Sequence, residues 1–141
     1  MTVFGGALQP DGSHLLPVRV YFEDTDFSGN VYHAAYLKFL ERGRTEYLRA
    51  LDLHHSRLIE EGLVFAVSRL EIDYLRPARI DDLLEIATRP GDVGGARLLL
   101  DQTISRGDEP LCRARVTAVL LNAAGRPVRL PQPLRSLFVP D

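Results

Sequence analysis

A chain of 141 residues with 45% apolar and 26% charged side chains has the length and balance of one folded domain, residues 1–141. Its 17 basic and 19 acidic groups give a formal charge of −2, which argues against a nucleic-acid or polybasic membrane surface, and no apolar run approaches the length of a membrane span. One cysteine, Cys112, forms no internal disulfide and fits a reducing cytoplasm; one Cys with four His argues against a structural zinc site, and Met1 to Gly12 lacks the basic residue and apolar block of a signal peptide.

Met1 to Ser13, rich in Gly, Pro and polar residues, reads as a loose N-terminal arm. His14 to Glu23, with Val18, Val20, Tyr21 and Phe22, has a strand composition. Asp24 to Asn30 holds the Asp, Thr, Ser, Gly and Asn of a turn, after which Ser28 or Asn30 is placed to cap a helix. That helix runs from about Tyr32 to Leu51. Tyr32, Tyr36, Phe39, Leu40, Tyr47 and Leu51 recur at spacings of three and four, with Lys38, Glu41, Arg42, Thr45 and Arg49 on the other side. Leu37 and Leu48 widen the apolar stripe, so the helix is well buried. Its twenty residues would extend about 30 Å. Gly43, inside it, costs about 1 kcal/mol against Ala and points to a close approach by another backbone. His54 to Glu61 reads as a second, short helix stopped by Gly62.

Beyond Gly62 the apolar period changes from about 3.6 to 2. Strands follow at Phe65 to Arg76, Leu83 to Arg89, Ala96 to Ser105 and Pro110 to Leu121. They are ended in turn by Pro77 with Asp81-Asp82, by Pro90-Gly91, by Gly107-Asp108 and by Asn122 to Gly125. Arg126 to Leu130 offers a short fifth strand, and Leu134 to Phe138 a terminal turn. Short connections between consecutive strands imply antiparallel pairing. One sheet with one long helix must bury that helix against its concave face. The expected fold is therefore α+β, a curved antiparallel sheet wrapped around one long central helix, with open sheet edges that imply oligomerisation.

Chemistry concentrates between Glu23 and His33. Glu23, Asp24 and Asp26 place three carboxylates within four residues at a strand end, a Gly turn follows, and His33 opens the long helix. Asp26 and His33 lie seven residues apart across a tight turn, so both can face one pocket. Backbone N–H groups at a helix start are unpaired and can polarise a carbonyl or hold an oxyanion. Carboxylate, imidazole and oxyanion donors together are the parts that acyl-thioester hydrolysis needs. Singly, Asp26 reads as a turn residue and His33 as a helix-start residue; the combination is what points to a pocket. Glu23 and Asp24 would raise the Asp26 pKa if they faced it. Tyr32, Tyr36 and Tyr47 read as core, and His54-His55 as a surface turn. Cys112 shares a strand face with Ala114, Val116, Ala118 and Leu120 and reads as a core thiol. Arg76 and Arg79 either meet phosphates of a ligand or are solvated beside a hairpin turn.

The stretch Glu23-Asp24-Thr25-Asp26, Gly29, Val31-Tyr32-His33, Tyr36, Glu41-Arg42 and Arg44-Thr45 carries a family resemblance, as do Glu71-Ile72-Asp73-Tyr74 and Pro77-Ala78-Arg79. On these residues the chain resembles the hotdog-fold acyl-CoA thioesterases of the 4-hydroxybenzoyl-CoA thioesterase type. It is most similar to the branch associated with the bacterial Tol-Pal envelope system. The resemblance covers roughly residues 15 to 130. It implies a hotdog fold, a homodimer or homotetramer with active sites at subunit interfaces, and hydrolysis of acyl-CoA to free acid and CoA. Coenzyme A is then part of the substrate, no other cofactor is implied, and acyl carrier protein is admitted as a partner. Asp26 matches the catalytic carboxylate, acting as base towards water or as nucleophile, and His33 matches the histidine that orients or polarises the thioester. The carbonyl is expected over the helix start near the N–H groups of Asn30 to Tyr32, which makes Gly29, Asn30, Val31 and Tyr32 the substrate-binding residues. Asn30 departs from the family, where many relatives carry an apolar residue, and adds a donor or caps the helix. Phe22 stands where some relatives have a pocket tyrosine. Two other functions fit the same residues: an enoyl-thioester hydratase of this fold, and a non-catalytic acyl-CoA or acyl-carrier binding module linked to the cell envelope.

Overall fold

The change of period after Gly62 becomes a change of architecture. In the computed structural model, which describes residues 4–138, strands β1 (Ala7–Leu8) and β2 (His14–Arg19) lead through a single 3-10 turn at Phe22–Asp24 to helix α1 (Ala35–Ala50). Helix α2 (His55–Glu60) follows, then strands β3 (Val64–Tyr74), β4 (Leu83–Gly94), β5 (Arg97–Arg106) and β6 (Glu109–Leu121), and helix α3 (Gln132–Phe138). All six strands form one antiparallel sheet in the order β1-β2-β4-β5-β6-β3. Among the described residues no helix is long and apolar enough to cross a membrane.

Helix α1 lies on one face of this sheet. Tyr36, Phe39 and Leu40 pack with Leu16 and Val18 of β2, Leu84 and Ile86 of β4, Ile104 of β5 and Ala114 of β6. One turn further on, Tyr47 and Leu48 join Leu98, Leu100, Leu120, Leu134 and Phe138 in a second cluster. Burying side chains such as Phe39 and Leu40 completely stabilises the fold by about 1.5–3 kcal/mol each. Gly43 sits between the clusters, where a Cβ would come within 2.6 Å of Ile86 Cγ2 and 3.1 Å of Gln102 Nε2. The close approach that its small size permits is therefore to side chains of β4 and β5, not to a backbone. Gln102 Nε2 uses that proximity: it donates to Leu40 O at 2.9 Å and to Thr88 Oγ1 at 2.9 Å, and its Oε1 accepts from Arg44 Nη1 at 3.1 Å. These bonds fix the depth of α1 above the sheet.

Several elements differ from the expectation. Helix α1 has 16 residues, not twenty, and begins at Ala35 instead of Tyr32. Residues 30–32 are held extended, because Val31 N–H bonds to Ala78 O at 2.8 Å and Tyr32 N–H to Asp24 O at 2.8 Å. Neither Ser28 nor Asn30 caps α1; its first turn follows Ala34 with no side-chain cap. The arm is tied down from Ala7 onward, since Ala7 and Leu8 pair with Leu15 and His14; residues 1–3 lie outside the described chain. Strand β4 runs past Pro90 to Gly94: proline lacks the N–H to continue the ladder, so the register shifts between Pro90 and Val93 and then resumes. Arg126 to Leu130 forms no strand beyond a bridge of Leu121 with Pro127, and Leu134 to Phe138 belongs to helix α3. Strand β3 pairs with β6, not with its successor β4. Among the described residues its other long side has no strand beside it, and its Val64, Val67 and Tyr74 are exposed.

Candidate active site

Local hydrogen bonding dictates the shape of the segment Glu23 to His33. Asp26 and Gly29 close a turn, Gly29 N–H donating to Asp26 O at 3.1 Å, and Gly29 has φ +83°, in the left-handed region that favours glycine. The strands on either side meet through a bridge of Thr25 with Val31, and Asp26 N–H donates to Asn30 O at 3.0 Å. The turn thus folds Asp26 back towards the start of α1.

One cavity of about 320 Å³ is lined by Asp26, Ser28, Asn30, Val31 and His33 from this segment, Tyr36 of α1, and Tyr74, Leu75, Arg76 and Pro77 from the end of β3. Of the residues singled out in the sequence, it brings together Asp26, Asn30, Val31 and His33. Gly29 shapes the turn from outside the lining, and the Tyr32 ring packs on the His33 imidazole with centroids 4.4 Å apart. Larger hollows beside α1 and between α2 and α3 contain neither Asp26 nor His33.

Asp26 is exposed in the single chain, and its two carboxylate oxygens are not equivalent. Oδ1 accepts from Ser28 Oγ at 2.5 Å and from Ser28 N–H at 2.8 Å, while Oδ2 has no partner among the described residues. The Ser28 hydroxyl, then its N–H, hold the Asp26 pKa below the ordinary carboxylate value, and His33 nearby adds to the effect. The raised pKa that repulsion from Glu23 and Asp24 would cause is not found. Asp24 turns away, its Oδ2 accepting Tyr21 N–H at 2.9 Å, and Glu23 lies exposed on the 3-10 turn.

The free backbone N–H groups differ from the expected ones. Asn30 N–H donates to Ser28 Oγ at 3.2 Å, and the N–H groups of Val31 and Tyr32 are committed to Ala78 O and Asp24 O. Unpaired backbone donors begin at the next residue: the N–H groups of His33 and Ala34 have no partner among the described residues. The Asn30 carboxamide also makes no hydrogen bond there, and it borders the cavity instead of capping the helix.

Three contributors were not legible as site residues. Tyr36, read as core, is buried but lines the cavity, and its Oη accepts Ala78 N–H at 3.0 Å. Tyr74 donates its hydroxyl to His33 O at 2.7 Å across 41 residues of sequence. Ser28, read as a turn or cap, is the partner of Asp26. Arg76 borders the cavity, exposed and 3.4 Å from Glu109 Oε2, while Arg79 pairs through its backbone with Asn30 and Asp82. Cys112 is fully buried, and burial, with Asp73 nearby, pushes its thiol up to about 12, the environment of a core side chain.

Comparison with known proteins adds four matches to this geometry. A family model described as the thioesterase-like superfamily matches residues 20–138. An acyl-CoA thioesterase of Haemophilus influenzae, YbgC, is 43% identical over 130 residues, covering 91% of this chain and 96% of that protein. The acyl-CoA thioester hydrolase YbgC of Escherichia coli O6:H1 is 40% identical over 124 residues, covering 86% and 92%. Among solved structures, a probable thioesterase from Bartonella henselae superposes with a TM-score of 0.80 at 46% identity, covering 84% of this chain and 99% of that one.

Proposed function

The chain belongs to the thioesterase-like superfamily, and on that premise we propose that it hydrolyses acyl-CoA thioesters to a free carboxylic acid and CoA, with Asp26 as the catalytic carboxylate. The observation that carries the reading is the one cavity lined by both Asp26, whose Oδ2 is free among the described residues, and His33, whose backbone N–H is unpaired among them. The thioester carbonyl accepts from the His33 N–H, which binds it more strongly as negative charge develops on oxygen. Asp26, kept ionised by Ser28, either takes a proton from the attacking water or attacks the carbonyl itself to form an anhydride that water then cleaves. Either way the C–S bond breaks, water oxygen ends in the acid, and the thiolate of CoA takes up a proton. The His33 ring, braced by Tyr32, borders the thioester from the other side of the turn. This chemistry draws on no further cofactor, coenzyme A entering as part of the substrate.

Two copies pair along β3 in this proposal. An exposed edge of 11 residues bearing Val64, Val67 and Tyr74 is a template for another strand, and pairing there continues the sheet around the α1 helices in the hotdog manner. A homodimer or a homotetramer built from it places a second chain beside Tyr74 and the cavity. Acyl carrier protein is a further candidate donor, since it presents the same pantetheine thioester as CoA. A single reduced, buried Cys112 supports a cytoplasmic location, and the motif from Asp26 to His33 supports the branch associated with the Tol-Pal system.

The test separates binding from turnover. Asp26→Asn is expected to bind acyl-CoA with unchanged affinity by calorimetry while thiol release falls by about 10³-fold. A matching loss of affinity would make Asp26 a binding residue and end the catalytic reading.

A further inference from the structure

We infer that Tyr74 is a positioning residue for the thioester carbonyl, holding His33 through a hydrogen bond to its backbone oxygen. The inference rests on the reading of the His33 N–H as the carbonyl's donor. His33 stands between two ordered segments, the extended residues 30–32 and helix α1, and belongs to neither. Among the described residues its backbone makes one hydrogen bond, from the Tyr74 hydroxyl to His33 O at 2.7 Å. Its direction, and that of the N–H and imidazole it carries, therefore hangs on that bond and on the contact with the Tyr32 ring.

Tyr74 is itself held. Its ring meets Tyr36 edge to face with centroids 5.4 Å apart, Tyr36 Oη accepts from Ala78 N–H, and Ala78 O accepts from Val31 N–H. The contacts form a closed ring, Val31–Ala78–Tyr36–Tyr74–His33, that clamps the catalytic turn between the start of α1 and the far end of β3. The Tyr74 hydroxyl is protonated at neutral pH even at the ordinary tyrosine pKa of about 10 and so remains a donor, and burial, with Cys112 and Tyr36 nearby, raises its pKa further. A donor placed on the residue that presents the oxyanion N–H restricts that N–H before the substrate arrives, and preorganisation of this kind acts on the chemical step.

Tyr74→Phe keeps the ring contact with Tyr36 and deletes the hydroxyl. The expected result is a fall in kcat of about 10-fold with KM unchanged, smaller than the roughly 10²–10³-fold loss from removing an oxyanion donor outright. The shape of the pH profile should stay that of wild type. The decisive readout is the infrared stretch of a ¹³C-labelled ketone in an acyl-CoA analogue with CH₂ in place of sulfur. Bound to wild type, the band should move to lower frequency than in water; bound to Tyr74→Phe it should move part of the way back and broaden. A wild-type kcat in the variant, or a band identical to that of the wild-type complex, overturns the inference while leaving the oxyanion reading intact. Loss of an alkaline limb would make Tyr74 a proton donor and overturn the positioning role. No shift in wild type would remove the oxyanion reading itself.

Discussion

Replacing Gly43 with alanine should destabilise the protein although alanine is the better helix former. The added Cβ would stand 2.6 Å from Ile86 Cγ2, 3.1 Å from Gln102 Nε2 and 3.2 Å from Thr88 Oγ1. Ile86 is fully buried and β-branched, so its methyl cannot swing aside, and Gln102 is bonded to both Thr88 and Leu40 O. Overpacking of this kind costs about 1–3 kcal/mol. The better helix propensity returns about 1 kcal/mol. The balance is a net loss of about 1 kcal/mol, which lowers Tm by roughly 3–4 °C in a domain of this size. The strain is relieved by α1 lifting away from β4 and β5, which carries the His33 N–H with it, so kcat should fall while the protein is still folded. Thermal unfolding followed by circular dichroism, with thiol release measured at 25 °C, checks both parts. A Tm above wild type would refute the reasoning, because it would show that the gap above Ile86 accepts a methyl group.

Three other perturbations probe separate features. Ser28→Ala removes the first cause of the low Asp26 pKa, so the acidic limb of kcat/KM against pH should move to higher pH; an unmoved limb would mean that another group sets it. His14 is fully buried with neither ring nitrogen in a hydrogen bond, and burial lowers its pKa against smaller opposing effects of Gly5 and Glu46. Above about pH 6.5 it is neutral in both folded and unfolded chains; as pH falls below that, only the unfolded chain takes up the proton, so stability is lost. Urea unfolding between pH 7.5 and 5.5 should show a shallower loss in His14→Leu than in wild type, and equal slopes would contradict the assignment. Cys112, with its pKa near 12, should resist thiol reagents in the folded protein and react only on unfolding; inactivation of the native protein by alkylation would overturn its assignment to the core.

Much of this molecule was legible in the sequence because its main signals are local. The three-and-four spacing from Tyr36 to Leu48 is the buried face of α1, and the alternation in 97–121 is the inward face of β5 and β6. Asp26 and His33 were legible as neighbours because a four-residue turn closed at Gly29 is a local event. What was misread was set by distant partners. Asn30, Val31 and Tyr32 look like a helix start, but Ala78 O and Asp24 O capture two of their N–H groups and hold the segment extended. That displaces the free donors to His33 and Ala34. Tyr74 and Tyr36 carried no local mark of a role at the cavity, since the hydroxyl of each finds its partner about forty residues away. The edge position of β3 was equally hidden: the connection through Pro77 to Asp82 is used to hold the segment after the Gly29 turn and not to form a hairpin.

The central claim is that, of the three carboxylates between Glu23 and Asp26, one does the chemistry. Asp26 lines the cavity and keeps one oxygen free among the described residues, Asp24 is occupied by Tyr21 N–H, and Glu23 lies on the exposed 3-10 turn. The most direct measurement is kcat for thiol release from saturating acyl-CoA by Asp26→Asn and Glu23→Gln side by side. The structure predicts a loss of about 10³-fold for Asp26→Asn and a rate within about twofold of wild type for Glu23→Gln. A near-wild-type rate for Asp26→Asn, or an equal loss for Glu23→Gln, would contradict it.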